Sequence, residues 1–187
     1  MKEIILASMS PRRKEILTQV GIPFQVVVSH VEEKIADLPP VEVVQDLARQ
    51  KAEAVAAEHP KAVVLGADTI VVVDGMILGK PSDRQDAERM IRLIQGRSHE
   101  VYTGVAVCDE QGSYTFAEQT KVYIREMEDA EIQEYLESAE PYDKAGSYAV
   151  QGLFARYISK LEGDYYNVMG LPACRIYTEL KNRGCIL

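Results

Sequence analysis

Ala62-Val63-Val64-Leu65-Gly66-Ala67-Asp68-Thr69-Ile70-Val71-Val72-Val73-Asp74-Gly75-Met76-Ile77-Leu78 is the stretch that decides the fold class. Ala62 to Leu65 reads as a continuous apolar strand, and Gly66-Ala67-Asp68-Thr69 is expected to end it. Ile70 to Val73 and Met76 to Leu78 flank Asp74-Gly75, a two-residue turn signal, and so predict a tight hairpin. Upstream, Ile4-Ile5-Leu6 and Phe24 to Val28 read as two more strands. The helix between them opens at Ser10-Pro11, where Ser10 suits the cap and Pro11 the first helical position. Gly21 closes it, and Ile16, Leu17 and Val20 form its apolar face. Residues 29–40 are polar, end in Pro39-Pro40 and read as a loop. A helix follows over 41–58, with the stripe Val44, Leu47, Ala48, Lys51, Ala54 and Val55, in which Lys51 is the one charge.

Downstream, Ser82 is the expected cap and Gln85 its capping-box partner. The helix they start runs to about Gln95 on Ala87, Met90, Ile91 and Ile94. Val101 to Cys108 and Ser113 to Ile124 read as paired strands. A short helix over 129–138 uses Ile132, Tyr135 and Leu136. A Gly-rich polar segment spans 141–152, Tyr157 to Leu161 reads as a strand, and a last helix covers about 171–183. Strands alternate with helices, which says α/β. Nothing marks a repeat or an interdomain linker, so residues 1–187 are expected to form a single domain, with room for two lobes.

Hydrophobic residues make up 47% and charged residues 27%, a composition able to build a core. The formal net charge of −8 argues against nonspecific nucleic-acid binding, which needs basic charge to displace counterions. The three cysteines, Cys108, Cys174 and Cys185, are widely spaced, which disfavours a disulfide framework or structural zinc and suits a reducing cytoplasm. No apolar run approaches the roughly 20 residues of a membrane span. The N-terminal segment does not read as a signal peptide, and Cys185 stands one place too late for prenylation.

Six segments hold groups that can do chemistry. Ser8-Met9-Ser10-Pro11-Arg12-Arg13 lies at a strand-to-helix junction. Two arginines in a first helical turn oppose the helix dipole, and a bound phosphate would account for them; an ordinary Ser-Pro start with two solvated arginines is the alternative. Asp68 is a general base, a metal ligand, or a turn aspartate bonded to its own backbone. Lys51 either snorkels from its stripe or reaches a phosphate. Lys80, in Gly79-Lys80-Pro81, is a phosphate ligand or a solvated loop lysine, and no Walker loop is present. Glu32-Glu33 is solvated unless phosphates gather nearby, in which case one carboxylate can hold Mg²⁺. Asp143 to Gly152 places Gln151 where an amide can read a base edge, or simply feeds a strand. His30, His59 and His99 lack the spacing of a zinc site.

Taken in order, these segments resemble the Maf family of nucleoside triphosphate pyrophosphatases. The resemblance is carried by Ala7-Ser8, Ser10-Pro11-Arg12-Arg13, Glu33, Lys51, Gly66-Ala67-Asp68-Thr69 and Gly79-Lys80-Pro81. Further on it is carried by His99, Val101, Thr103-Gly104-Val105, Glu140-Pro141, Asp143-Lys144-Ala145-Gly146, Gln151-Gly152, Val168 and Gly170-Leu171-Pro172. It spans nearly the whole chain. Met9, and Ala149 where glycine is usual, are mild departures; a bulkier residue at 149 narrows the base pocket slightly.

The resemblance implies an elongated mixed α/β sheet with flanking helices and two lobes around a cleft, similar to inosine triphosphate pyrophosphatases. It implies hydrolysis of a nucleoside triphosphate to monophosphate and diphosphate, assisted by Mg²⁺ or Mn²⁺. Arg12, Thr69 and Gln151 match the dTTP/UTP branch; the 7-methyl-GTP branch commonly carries Trp at the position of Arg12. By the same resemblance Asp68 is the proton acceptor, and Glu33, Lys51 and Lys80 belong to the phosphate and metal site, with Glu33 and Asp68 as the metal ligands. Ser8, Ser10, Arg12, Arg13, Thr69 and Gln151 bind substrate. A homodimer, a cytoplasmic location and clearance of modified pyrimidine nucleotides are further implications. Physical chemistry agrees, since an acidic protein that binds a triphosphate must concentrate its few cations locally. The alternatives are a purine or 7-methyl-GTP preference, and a nucleotide-binding regulator of cell division.

Overall fold

The protein is described over residues 2–186 in a computed structural model. Among the described residues, seven strands form one mixed sheet: β1 (Ile4–Leu6), β2 (Gln25–Val26), β3 (Val63–Val73), β4 (Met76–Leu78), β5 (Ser98–Asp109), β6 (Gly112–Ile124) and β7 (Ile158–Glu162). Their order is β2-β1-β3-β5-β6-β7, with β4 paired to β3. β1 runs parallel to β2 and β3, whereas β4 is antiparallel to β3 and β7 to β6. The helices are α1 (Pro11–Gln19), α2 (Pro40–Ala56), α3 (Arg84–Ile94), α4 (Asp129–Leu136), α5 (Tyr165–Met169) and α6 (Ala173–Asn182).

The chain divides into two compact units. The first comprises the chain up to Asp68, Thr103–Glu118 and the chain from Gly170. It has its own core, in which Ile5, Ala7, Ala48, Ala52, Val55, Val64 and Ala106 are buried together. The second comprises Thr69–Tyr102 and Gln119–Met169. Its core gathers Val71, Met90, Ile91, Ile132, Tyr135, Leu136, Tyr148, Phe154 and Tyr157.

The predicted hairpin forms, with Val73 opposite Met76 and Val71 opposite Leu78. Asp74 and Gly75 both take positive φ, as a primed two-residue turn requires. Several boundaries differ from the sequence reading. β3 does not end at Gly66-Ala67-Asp68-Thr69 but runs through it to Val73, eleven residues in all. The small residues there mark close approach of a helix, not a turn: a Cβ on Gly66 would fall on the Ala48 carbonyl of α2. β2 shrinks to two exposed residues. The buried stripe of α2 includes Val43 and Ala52, and Ala54 is only half-buried. α3 is capped by Asp83, whose carboxylate accepts from the Asp86 N–H, so Ser82 is displaced from that role. Ser10 stands at the cap position of α1 without a side-chain cap bond. The segment at 140–157 folds as three short 3-10 turns, and α5 was not foreseen. Among the described residues no helix is long and apolar enough to cross a membrane.

Candidate functional site

In the first unit, Lys51 is the hub. Its Nζ lies 2.6 Å from Asp68 Oδ1 and 3.3 Å from Glu33 Oε1. The Lys51 and Asp68 side chains are each only 15% exposed, so solvent screens this pair far less than a surface ion pair. The packing of α2 brings them together. Gly66 of β3 and Gly104 of β5 lack the Cβ atoms that would strike the Ala48 and Val44 carbonyls, so α2 settles close to the strands. Ala48 and Ala52 give the helix a small-residue face at that point. A lysine one turn along then reaches the middle of β3, where Asp68 stands.

Glu33 arrives on the 29–39 loop, and Gln50 holds that loop. The Gln50 side-chain amide donates to the Lys34 carbonyl at 2.9 Å, and its carbonyl oxygen accepts from the Lys34 N–H at 3.0 Å. Sequence reasoning did not single out Gln50. Its only signal was its place beside Lys51.

The Ser8–Arg13 segment is built around Ser8. The nearly buried Ser8 hydroxyl accepts from the Ser10 N–H at 3.2 Å and from Arg13 Nη1 at 3.1 Å. Arg13 Nε also donates to the Gly170 carbonyl at 2.8 Å. Arg13 thus ties the start of α1 to the Gly170-Leu171-Pro172 turn. Burial pushes its pKa down; the nearby Asp68 and Glu33 carboxylates oppose that shift, and Arg12 adds to it. Arg13 therefore belongs electrostatically to the Lys51 cluster. Arg12 and Ser10 are half-exposed at the same helix start.

Glu33 and Asp68 converge on one ammonium. Among the described residues no group of three or more His, Cys, Asp or Glu is arranged to hold a metal ion. Two carboxylates completed by phosphate oxygens and water suit a hard cation such as Mg²⁺. They do not suit zinc, which wants nitrogen and sulfur donors.

The other expected site residues lie in the second unit. Lys80 is exposed just after β4, and its neighbour Gly79 accepts from the Gly146 N–H at 3.1 Å. Thr69 is half-buried in β3. Gln151 is exposed directly after five buried residues, Gly146 to Val150. His99 is buried, with Nε2 2.6 Å from the Tyr148 hydroxyl. Burial, with a smaller effect from Arg97, pushes its pKa down to about 4, so the ring is neutral at physiological pH.

The chain is 52% identical over 182 residues to a dTTP/UTP pyrophosphatase of Bacillus cytotoxicus, covering 97% of this chain and 95% of the relative. The Bacillus mycoides dTTP/UTP pyrophosphatase is equally similar, 52% over 97% of this chain and 95% of its own. Among solved structures, the Staphylococcus aureus Ham1 protein matches with a TM-score of 0.54 at 13% identity, over 97% of this chain and 100% of that one, so the fold is shared. A family profile described as Maf-like protein matches residues 3–183. With that profile spanning nearly every residue discussed above, and relatives half identical end to end, the chain belongs to the Maf-like protein family.

Proposed function

We propose that the protein hydrolyses dTTP and UTP to the nucleoside monophosphate and diphosphate. The observation that carries this reading is the cluster of Lys51, Arg13, Asp68 and Glu33, two cations and two carboxylates in one partly buried place. Relatives half identical to this chain bear the name of that activity.

The chemistry follows from the groups. Lys51 and Arg13, with Arg12 beside them, supply cationic charge to phosphate oxygens, which an acidic protein must gather locally. Water attacks the α-phosphorus, the bond from that phosphorus to the bridging oxygen breaks, and diphosphate leaves with the electron pair. Asp68 takes the proton of the attacking water. The ion pair with Lys51 holds that carboxylate in place before substrate arrives. Glu33 and Asp68 would hold a divalent cation, Mg²⁺ or Mn²⁺, which neutralises phosphate charge when bound. Lys80 contributes a further cation, Ser8 and Ser10 hydrogen bonds, and Arg12, Thr69 and Gln151 selectivity. Uracil and thymine both present an O4 acceptor beside an N3–H donor, and one amide, that of Gln151, pairs with both. We place this activity in a single domain, in a cytoplasmic homodimer, clearing modified pyrimidine nucleotides.

A substrate panel of dTTP, UTP, CTP, GTP, ATP, ITP and 7-methyl-GTP, run with Mg²⁺, with Mn²⁺ and with chelator, tests the reading. Metal-dependent release of diphosphate, with no orthophosphate, is expected for dTTP and UTP alone. Binding without turnover on every nucleotide would overturn it in favour of a regulator.

A further inference from the structure

Gln151 is presented by a segment that is held from beneath at both ends. Tyr135, fully buried on α4, shares its one hydroxyl proton between the Ser147 carbonyl, at 2.9 Å, and Glu140 Oε1, at 3.1 Å. The Glu140 carboxylate in turn accepts from the backbone N–H of Leu153 at 2.5 Å and of Phe154 at 3.0 Å. One hydroxyl and one carboxylate therefore fasten residue 147 on one side of Gln151 and residues 153 and 154 on the other. Gly152 completes the arrangement, because a Cβ there would lie on the Glu140 carboxylate.

Two further observations say that this segment is held under constraint. Gly146 and Ser147 both take positive φ, +68° and +62°, and for a buried serine that conformation is disfavoured by sterics. Such a backbone persists only where its surroundings over-determine it. The Ser147 carbonyl is bonded to Tyr135, its hydroxyl to the Met90 sulfur, and Tyr148 is bonded to buried His99. Beneath, the rings of Tyr135 and Phe154 are 5.0 Å apart, as are those of Tyr148 and Phe154. Burial, reinforced by the Glu140 charge, pushes the Tyr135 pKa up, so its hydroxyl keeps the proton it donates. Gln151 is the first exposed side chain on this rigid run.

We infer that Glu140 and Tyr135 are positioning residues that aim the Gln151 amide and thereby set discrimination among nucleotide bases. The inference rests on the reading above, in which Gln151 meets the base edge. Phosphate chemistry does not depend on this clamp, because Lys51, Asp68, Glu33 and Arg13 are held by other contacts. A loosened clamp lets the amide rotate or shift, and an amide free to flip also accommodates cytosine.

The experiment measures kcat and KM for UTP, dTTP and CTP in the parent and in Gln151→Ala, Tyr135→Phe, Glu140→Gln and the double variant Gln151→Ala/Tyr135→Phe. Near-isosteric changes at two positions keep the test open if either variant fails to fold. Gln151→Ala is expected to lower the UTP-to-CTP ratio of kcat/KM by about tenfold, the worth of one lost hydrogen bond to a base. Tyr135→Phe and Glu140→Gln are expected to lower it by about threefold or more, through KM, with kcat for UTP within about twofold of the parent. In the double variant the tyrosine change should leave the ratio of Gln151→Ala unaltered, the non-additivity of two residues acting as one device. If Gln151→Ala itself leaves the ratio unchanged, the base reading falls and the inference with it. If Gln151→Ala lowers the ratio while Tyr135→Phe and Glu140→Gln leave it at the parent value, or slow all three substrates equally, the inference alone is overturned.

Discussion

Asp68 and Lys51 show how much a single contact decides. Each residue alone has an ordinary structural explanation, a turn aspartate or a snorkelling lysine. At 2.6 Å from each other and only 15% exposed, they are a held pair whose carboxylate is aimed, and Glu33 extends the pair to a third charge. The expected consequence is sharp. Asp68→Asn keeps the shape of the side chain and removes its capacity to take a proton. Turnover of UTP should fall at least about 100-fold, the usual worth of a positioned general base. Nucleotide affinity, followed by titration calorimetry, should stay within a few-fold. Loss of binding together with turnover would assign Asp68 to holding substrate.

At the scale of elements, the placement of α2 on β3 and β5 matters most. Gly66 and Gly104 let the helix approach, and Ala48 and Ala52 meet it with small side chains. Gly66→Ala puts a methyl group against the Ala48 carbonyl, which is backbone and can move only with the whole helix. The substitution should cost about 1–3 kcal/mol in urea unfolding, in the range of overpacking. It should also lower kcat, because displacing α2 displaces Lys51 from Asp68. A variant with parent activity and parent stability would show that α2 is not seated by these glycines. The sequence marked this element well and its neighbour poorly. The apolar period of α2 and the Asp74-Gly75 turn are legible locally. The continuation of β3 through Gly66-Ala67-Asp68-Thr69 was not, because glycine and aspartate read as turn formers, and only the helix above explains them as strand residues.

For the molecule as a whole, acid stability depends on a buried group outside the charge cluster. The His99 ring is neutral in the fold, its pKa depressed from an ordinary 6.5 to about 4. Between those values the unfolded chain binds the extra proton and the folded chain does not. His99 therefore contributes no pH dependence above about 6.5, and stability falls as the pH drops through this window, by at most about 1.4 kcal/mol per pH unit. Urea unfolding of the parent and of His99→Gln at pH 7, 6 and 5 measures the slope. The variant should be less stable at pH 7, where its bond to Tyr148 is altered, but should lose less stability on acidification. Equal slopes in both proteins would show that carboxylates alone govern the acid limb.

Composition, periodicity and turn chemistry settled the α/β class, most helices, the hairpin and the set of charged groups available to a phosphate. Those signals act within a few residues, so they are complete in the sequence itself. Which groups meet was decided only by tertiary packing. Lys51 reaches Asp68 because two glycines admit a helix. Arg13 is tied to the carbonyl of Gly170, 157 residues away. Glu140 lies under Gly152 because three short turns fold back on α4. Each of these contacts depends on where distant backbone runs, and distance along the chain carries no information about that until the core has closed.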